Sequence, residues 1–133
     1  MKDNKKIKSK GWFLVDKSNK QQFMIPSNRL VRVFCRSVMN QKGLSNYSMS
    51  VHENGQWIGN YMFDKLITEN QAKITTNYKE VKNLSLSKTR SFYLNTPTSD
   101  DVDYSYYTFS IPGQSDENEK ILIKIIEYEK SEK

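Results

Sequence analysis

The sequence predicts one α+β domain that is predominantly antiparallel β: a small curved sheet, barrel or sandwich of six to seven strands. Its length of 133 residues suits a single compact domain. Alanine, a strong helix former, occurs only at Ala72, whereas Thr, Tyr, Phe, Ile and Val, which favour strands, are abundant. Short alternating apolar segments are separated by turn-forming residues, which is typical of a β-rich fold.

The globular domain is expected to span residues 10–129, between two charged tails. Residues 1–9 are rich in lysine and contain few apolar residues to bury, so they are expected to form a disordered basic tail. Residues 130–133 are expected to form a disordered charged tail.

The clearest local signal is a β-hairpin centred on Asn54-Gly55. Asn-Gly supplies the two positive-φ positions that a type I′ turn requires. The flanking segments 47–51 and 57–63 are candidate strands. In the first of them Tyr47 shares a face with Met49 and Val51, and serines occupy the opposite face.

Further strands are expected along the rest of the chain. Pro26 cannot donate a backbone hydrogen bond to a ladder, so it should end the strand that precedes it or lie on a sheet edge. The segment 121–128 also fits a helical stripe, but its four isoleucines favour a strand. In the segment 84–94, Lys88 and Arg90 share parity with apolar residues, so a strand there must bend or its middle must leave the core. The expected strands are 11–16, 22–25, 73–78, 84–94, 104–111 and 121–128.

The segment 28–39 has two interpretations. Ser27 or Asn28 could cap a helix in which Leu30, Phe34 and Val38 form one face, and the helix is the favoured interpretation. Arg29, Arg32 and Arg36 would then share the other face. In the alternative, a strand, Val31, Val33 and Cys35 point inward, while Arg32, Phe34 and Arg36 point outward.

Residues suited to catalysis or metal binding are scarce. A single histidine, His52, cannot build a multi-histidine metal site, and no Ser-His-Asp spacing indicates a triad. Cys35 is the only cysteine and is expected to be a small buried hydrophobe. The carboxylates at 100–103 and 116–119 lack the spacing of an EF-type loop and are expected to be solvated. The sequence therefore predicts a non-enzymatic protein with no cofactor and no metal.

Charge is distributed unevenly along the chain. Residues 1–90 carry 17 Lys and Arg against 6 Asp and Glu, whereas residues 91–133 carry 4 against 9. The local net charges are +11 and −5, within a total of +6. Such an asymmetry has two interpretations, a basic binding surface with an acidic flank or simply a dipolar molecule.

The first functional hypothesis is nucleic-acid binding, with DNA as the expected polymer. Phosphates require cations, and unpaired bases stack on exposed aromatic rings. In the helical interpretation of 28–39, the three arginines would enter a major groove; in the strand interpretation, a basic aromatic sheet face would bind the polymer. The candidate residues are Arg29, Arg32, Arg36, Lys42, Trp57, Tyr61, Lys88 and Arg90.

The alternative hypothesis is a protein-interaction module or inhibitor that acts through an acidic, tyrosine-rich loop. Tyrosine is enriched in protein interfaces, and carboxylates could dock a basic partner by charge complementarity. The candidate residues are Asp100, Asp101, Asp103, Tyr104 and Tyr106.

The expected setting is the cytoplasm of a low-GC bacterium. Lys, Asn, Ile and Tyr, whose codons are A/T-rich, make up 47 of the 133 residues. This composition favours a gene of such a bacterium or of its phages, plasmids or conjugative elements. No apolar run is long enough to cross a membrane, so no membrane partner is expected.

Overall fold

A computed structural model describes residues 6–38, 46–64, 86–98, 103–113 and 119–130. These ranges contain eight β-strands and no helix, so the predicted β-rich fold is confirmed, while the predicted helix and the expected number of strands are wrong. The strands are β1 (Lys6–Asp16), β2 (Gln21–Pro26), β3 (Arg29–Ser37), β4 (Asn46–Glu53), β5 (Gln56–Asp64), β6 (Arg90–Asn95), β7 (Tyr104–Ser110) and β8 (Lys120–Glu129).

The strands form two four-stranded antiparallel sheets. Sheet A has the order β1-β8-β3-β6, and sheet B has the order β2-β7-β4-β5. The pairs β1–β8, β2–β7, β3–β6 and β4–β5 are nested within one another along the chain. This strand order is that of an eight-stranded jelly roll, which is a sandwich of two sheets.

The predicted Asn54-Gly55 hairpin is present between β4 and β5. Both turn residues have positive φ, 51° for Asn54 and 84° for Gly55, as a type I′ turn requires. The ladder contains a bulge, because Val51 is opposite Gly59 whereas His52 is opposite Trp57. The bulge places one extra residue in β5, next to the turn.

The favoured helix over 28–39 is wrong: residues 29–37 form β3, so the strand alternative is the one observed. Asn28 has a φ of 64°, a left-handed conformation that belongs to a turn and not to a helix cap. β3 is paired on both sides, with β6 and with β8. Ladder hydrogen bonds to two neighbouring strands and the burial of Val31 and Val33 stabilise the strand. Together they outweigh the helical pattern, which depends only on residues within the segment.

Several predicted strands are confirmed with small changes at their ends. The predicted segment 121–128 lies within β8, and the predicted segment 104–111 corresponds to β7, which ends at Ser110. Pro26 ends β2, which lies at an edge of sheet B among the described strands. β1 begins at Lys6, so residues 6–9 of the predicted disordered tail are part of a strand.

The predicted strand over 84–94 is interrupted. Leu86 forms an isolated bridge with Val38, and β6 begins only at Arg90. Leu86 packs in a small cluster apart from the main core that contains Phe92, so the middle of this segment leaves the core. The predicted strand 73–78 and residues 84 and 85 lie outside the described residues.

The main core lies between the sheets and is built by alternation. Val31, Val33 and Cys35 of β3 face the inside, opposite Tyr107 and Phe109 of β7. Each fully buried side chain of this size contributes roughly 1.5–3 kcal/mol. The residues at alternate positions point outward, so each sheet presents a second face whose chemistry is independent of the core.

Candidate binding surfaces

Arg29 lies at one end of the sandwich, where its side chain pairs with a carboxylate. Its parity places it with the inward residues of β3, and its Nε lies 3.7 Å from Oε1 of Glu127, whose side chain is buried. The backbone N–H of Arg29 donates to Oγ1 of Thr96 at 2.6 Å. Arg29 therefore neutralises a buried carboxylate of the same chain.

Arg36 is buried on the outward side of sheet A and is 4% exposed. Its Nε donates to the carbonyl oxygen of Ser87 at 2.8 Å. Burial lowers the pKa of the guanidinium from its ordinary value. The neighbouring Leu14 and Leu122 are also buried, so this end of the face is covered. Arg36 is a structural residue in this arrangement.

Tyr61 and Arg90 close the side of the sandwich where β5 approaches β6. The ring of Tyr61 stacks on Phe92 with centroids 3.9 Å apart and an interplanar angle of 10°. Arg90 donates to Oδ1 of Asp64 from Nη2 at 2.7 Å and from Nε at 3.2 Å. Both side chains join the two sheets.

Arg32 is the predicted arginine that lies on a partly exposed outer surface. Its guanidinium carbon lies 4.5 Å from the ring centroid of Phe34 and 5.5 Å from that of Tyr93. Its Nε donates to Oγ of Ser91 at 3.1 Å. The two rings and the hydroxyl hold the guanidinium in one orientation by cation–π contact and hydrogen bonding.

The predicted nucleic-acid residues do not form one surface. Trp57 lies on the outside of sheet B, whereas Arg32 lies on the outside of sheet A. Lys88 is exposed just before β6. Lys42 lies outside the described residues. The predicted helix face of three arginines does not exist, because Arg29 and Arg32 point to opposite sides of a strand.

A cationic patch nevertheless occupies part of the outer face of sheet A, around Arg32. Arg32 is opposite Ile126 of β8 and Tyr93 of β6, and Lys124 is one diagonal position away. At described outward positions of this sheet the one carboxylate is Asp16, which lies at the far end opposite Lys120. We call this patch the basic face; it comprises Lys6, Ser9, Arg32, Phe34, Ser91, Tyr93, Lys124, Ile126 and Tyr128.

The outer face of sheet B has a different composition. One row of residues crosses all four strands: Gln22, Thr108, His52 and Trp57 are in register. Asp64 is the charged residue at the described outward positions, and it binds Arg90. We call this surface the neutral face; it comprises Gln22, Met24, Ser48, Ser50, His52, Trp57, Asn60, Met62, Tyr104, Tyr106 and Thr108.

Among the described residues, most of the exposed large apolar side chains lie on the neutral face. Trp57 is 57% exposed and Met62 is 65% exposed. Towards the other edge of the same face, Met24 of β2 is paired with Tyr106 of β7, and Tyr104 is the next outward residue of β7. These two groups are separated by two to three strand spacings, or roughly 10–14 Å. A surface this rich in Tyr, Trp and Met is typical of a protein interface.

The hairpin tip is fixed to the neutral face. The backbone N–H of Asn54 donates to the carbonyl of Tyr106 at 2.7 Å, and the N–H of Tyr106 donates to Oδ1 of Asn54 at 2.8 Å. On the inner side the hydroxyl of Tyr107 donates to Glu53. Burial, together with this hydrogen bond, raises the pKa of Tyr107. The hairpin and β7 therefore present their aromatic rings on a rigid support.

The predicted acidic, tyrosine-rich loop is described only in part. Asp100 and Asp101 lie outside the described residues, whereas Asp103 is exposed just before β7. Its carbonyl accepts a hydrogen bond from the N–H of Ser27 at 2.9 Å. Tyr104 and Tyr106 are both exposed and belong to the neutral face.

Other sites are absent from the part of the chain that the structure describes. No group of three His, Cys, Asp or Glu side chains is placed to hold a metal ion in these ranges. Within the same ranges there is no helix with the length and apolar character needed to span a bilayer. Cys35 is fully buried in the core, and burial raises the pKa of its thiol, as expected for a small core residue.

Several residues of the two faces were not among the sequence-based candidates. Met24, Met62 and Lys124 become recognisable only when strand parity is known. Met62 lies opposite Ser48, whose outward direction the alternation of β4 already indicates. The position of Lys124 beside Arg32 could not be predicted from the sequence, since it depends on the pairing of β8 with β3.

Comparison of the chain with protein-family models finds no match, and comparisons with curated proteins and with solved structures also find none. The jelly-roll arrangement does not itself indicate a function, because one fold supports many. The functional inference therefore depends on the chemistry of this chain's own surfaces.

Proposed function

We propose that this chain is a protein-binding module that docks a partner protein through the neutral face of sheet B. The observation that carries the proposal is the concentration of exposed aromatic and methionine side chains on one outer face. Among the residues that the structure describes, five of the seven exposed large apolar side chains belong to the neutral face. They are Met24, Trp57, Met62, Tyr104 and Tyr106.

The chemistry of the neutral face favours a protein partner over nucleic acid. Phosphates require cations, and no Lys or Arg occupies a described outward position of sheet B. Exposed methionines adapt to an irregular apolar partner, and tyrosine combines a large contact area with a hydroxyl that can form hydrogen bonds. Binding should therefore depend on apolar burial and should change little with salt.

The geometry also limits the entropic cost of binding. Tyr106 is tied to Asn54 through both of its backbone groups, and the indole Nε1 of Trp57 donates to Oδ1 of Asn60 at 3.0 Å. Side chains that are ordered before binding lose less entropy in the complex. In this proposal Tyr106 and Trp57 are the anchors, since Trp and Tyr dominate the energetics of many interfaces.

The broader setting remains an expectation from composition. We place this module among the non-catalytic accessory proteins of bacterial mobile elements, in the cytoplasm, where its partner would be an element-encoded or host protein. The support is the A/T-rich codon usage that the amino-acid composition indicates.

The proposal is tested by affinity capture from the bacterium that carries the gene. Wild-type chain is compared with the double variant Trp57→Ser/Tyr106→Ser and with the control Tyr93→Ser, which changes an exposed tyrosine on the other sheet. We expect one protein to be retained by the wild type and the control, at low and high salt alike, and lost by the double variant.

Two outcomes would contradict this function. Retention of the same protein by the double variant would show that another surface binds it. Loss of the protein in the Tyr93→Ser variant would show that the interface lies on sheet A. Thermal unfolding of each variant verifies that the sandwich is intact, which is expected because Trp57 and Tyr106 lie outside the core.

A further inference from the structure

We propose that the basic face of sheet A is a second binding site, which takes single-stranded nucleic acid. This site is independent of the neutral face and uses residues on the opposite side of the sandwich. Its components are cations beside which the described outward positions of sheet A carry no carboxylate, together with an exposed tyrosine ring.

The charge of the basic face is suited to a chain of phosphates. Arg32 and Lys124 lie on neighbouring strands at diagonal positions, which places their Cα atoms about 7–8 Å apart. Lys6 lies opposite Tyr128 on the next strand pair and is exposed. Arg32, Lys124 and Lys6 thus lie on three neighbouring strands around Ile126 and form a cationic patch that can contact successive phosphates of a polyanion.

The aromatic residues favour unpaired bases over duplex. Tyr93 is 42% exposed beside the guanidinium of Arg32. Bases stack on aromatic rings only when they are not already stacked and paired in a helix. Arg32 is positioned by Phe34, Tyr93 and Ser91 before any ligand arrives, so its Nη donors can bind a phosphate without further ordering.

The basic face also has a defined limit. Towards Arg36 the outward side chains are buried, whereas Arg32, Phe34, Ser91, Tyr93 and Lys124 are partly or fully exposed. The site therefore lies at one end of sheet A and can hold only a few nucleotides. A short site with three cations predicts modest affinity and strong dependence on salt.

The test uses the full chain and a fluorescein-labelled twenty-nucleotide poly-dT, with fluorescence anisotropy at several salt concentrations. Three phosphate contacts predict a slope of about −2 in a plot of log association constant against log salt. Lys124→Gln should weaken binding by about five- to ten-fold at 50 mM salt and make the slope shallower by about 0.7. Tyr93→Ala should weaken binding by about five-fold or more, with little change in slope.

Matched controls separate this site from general electrostatic attraction. Lys20→Gln removes an exposed lysine between β1 and β2, and Tyr106→Ala removes an exposed tyrosine from the neutral face. Both should leave binding of poly-dT within two-fold of the wild type. Thermal unfolding of each variant verifies the fold, and Arg32→Lys, which keeps the charge but loses the planar fork, should bind more weakly than the wild type.

Several results would overturn the proposal. Equal binding of poly-dT and a duplex of the same length, both unaffected by Tyr93→Ala, would indicate attraction to any phosphate backbone. Tighter binding of polyglutamate than of poly-dT would identify an acidic protein as the ligand. Loss of binding in Lys2→Gln/Lys5→Gln with no effect of Lys124→Gln would assign the phosphates to the amino-terminal lysines. Absence of binding at 50 mM salt would exclude the site.

Discussion

The outer faces of sheets A and B have the same strand geometry but different chemistry. Around Arg32, sheet A carries cations beside aromatic rings, with its carboxylate at the far end. Sheet B carries exposed Trp, Tyr and Met among Ser, Thr, Asn and Gln. Because alternation fixes only which residues point outward, the choice of residue at those positions determines what each face can bind.

The comparison also shows which aromatic residues are available for binding. Tyr106 and Tyr107 are consecutive in β7, but the first is exposed and the second is fully buried. Tyr93 and Phe92 form a similar pair in β6. In each pair one aromatic residue packs in the core, and the other is exposed and available to a partner.

The largest effect is expected within sheet A, between two arginines of the same strand. Arg36→Ala should lower the free energy of unfolding by about 3 kcal/mol, because it leaves the buried carbonyl of Ser87 without its donor. Arg32→Ala should lower it by about 1 kcal/mol, since Arg32 is partly exposed. Urea unfolding measures both values. Equal losses would show that Arg32 is as structural as Arg36 and would weaken the basic face as a binding site.

A second prediction uses alkaline pH to detect the two buried tyrosines whose pKa is raised. The pKa of Tyr47 and that of Tyr107 are raised by burial, so these hydroxyls stay protonated in the folded protein above the pH at which they ionise when unfolded. Their contribution to stability is complete below about pH 10 and falls as the pH rises further, by up to about 1.4 kcal/mol per pH unit for each tyrosine.

Unfolding by urea between pH 8 and pH 11 tests this expectation. Tyr107→Phe should reduce the loss of stability at high pH relative to the wild type. An unchanged pH profile in this variant would mean that the hydroxyl of Tyr107 is not buried as the structure indicates.

A smaller effect is expected where the two sheets meet. The ion pair of Arg90 with Asp64 joins β6 to β5, but both side chains are partly exposed. A double-mutant cycle with Arg90→Gln and Asp64→Asn should give a coupling free energy of about 0.5–1 kcal/mol that decreases at high salt. A coupling near zero would mean that this side is closed by the contacts of Tyr61 and Phe63 with the ring of Phe92 and not by the ion pair.

The smallest effect on stability is expected on the neutral face. Met62→Ser and Trp57→Ser should each change the free energy of unfolding by no more than about 0.5 kcal/mol, because these side chains are more than half exposed. The same variants should raise solubility, since they remove apolar surface. A loss of several kcal/mol would show that the neutral face is part of the fold and is not available to a partner.

Much of the fold could be predicted from local sequence. The Asn54-Gly55 hairpin, β7 and β8 follow from turn residues and alternation, and the strand interpretation of 28–39 assigned the inward and outward residues of β3 correctly. The choice between helix and strand could not be made locally, because it depends on β6 and β8, which lie more than 50 residues further along the chain. The order of strands in each sheet depends on such long-range pairing throughout.

The candidate sites were predictable only in part, for the same reason. Tyr104 and Tyr106 were recognised from composition and are exposed together on the neutral face. Arg29 and Arg36 were assigned to nucleic-acid binding because the groups that they contact lie far away in the sequence, where local reasoning could not find them. Arg29 meets Glu127, Arg36 meets the carbonyl of Ser87, and neither contact leaves a signal near the arginine itself.

The most direct test of the difference between the two faces places a photo-crosslinking phenylalanine derivative at position 106 or at position 93. Tyr106 and Tyr93 are 47% and 42% exposed, so the two probes are equally accessible and differ in the face they report. After irradiation in the bacterium that carries the gene, position 106 should yield a protein adduct that proteases remove, and position 93 an adduct that nucleases remove. The same class of adduct at both positions would contradict the assignment of different ligands to the two faces.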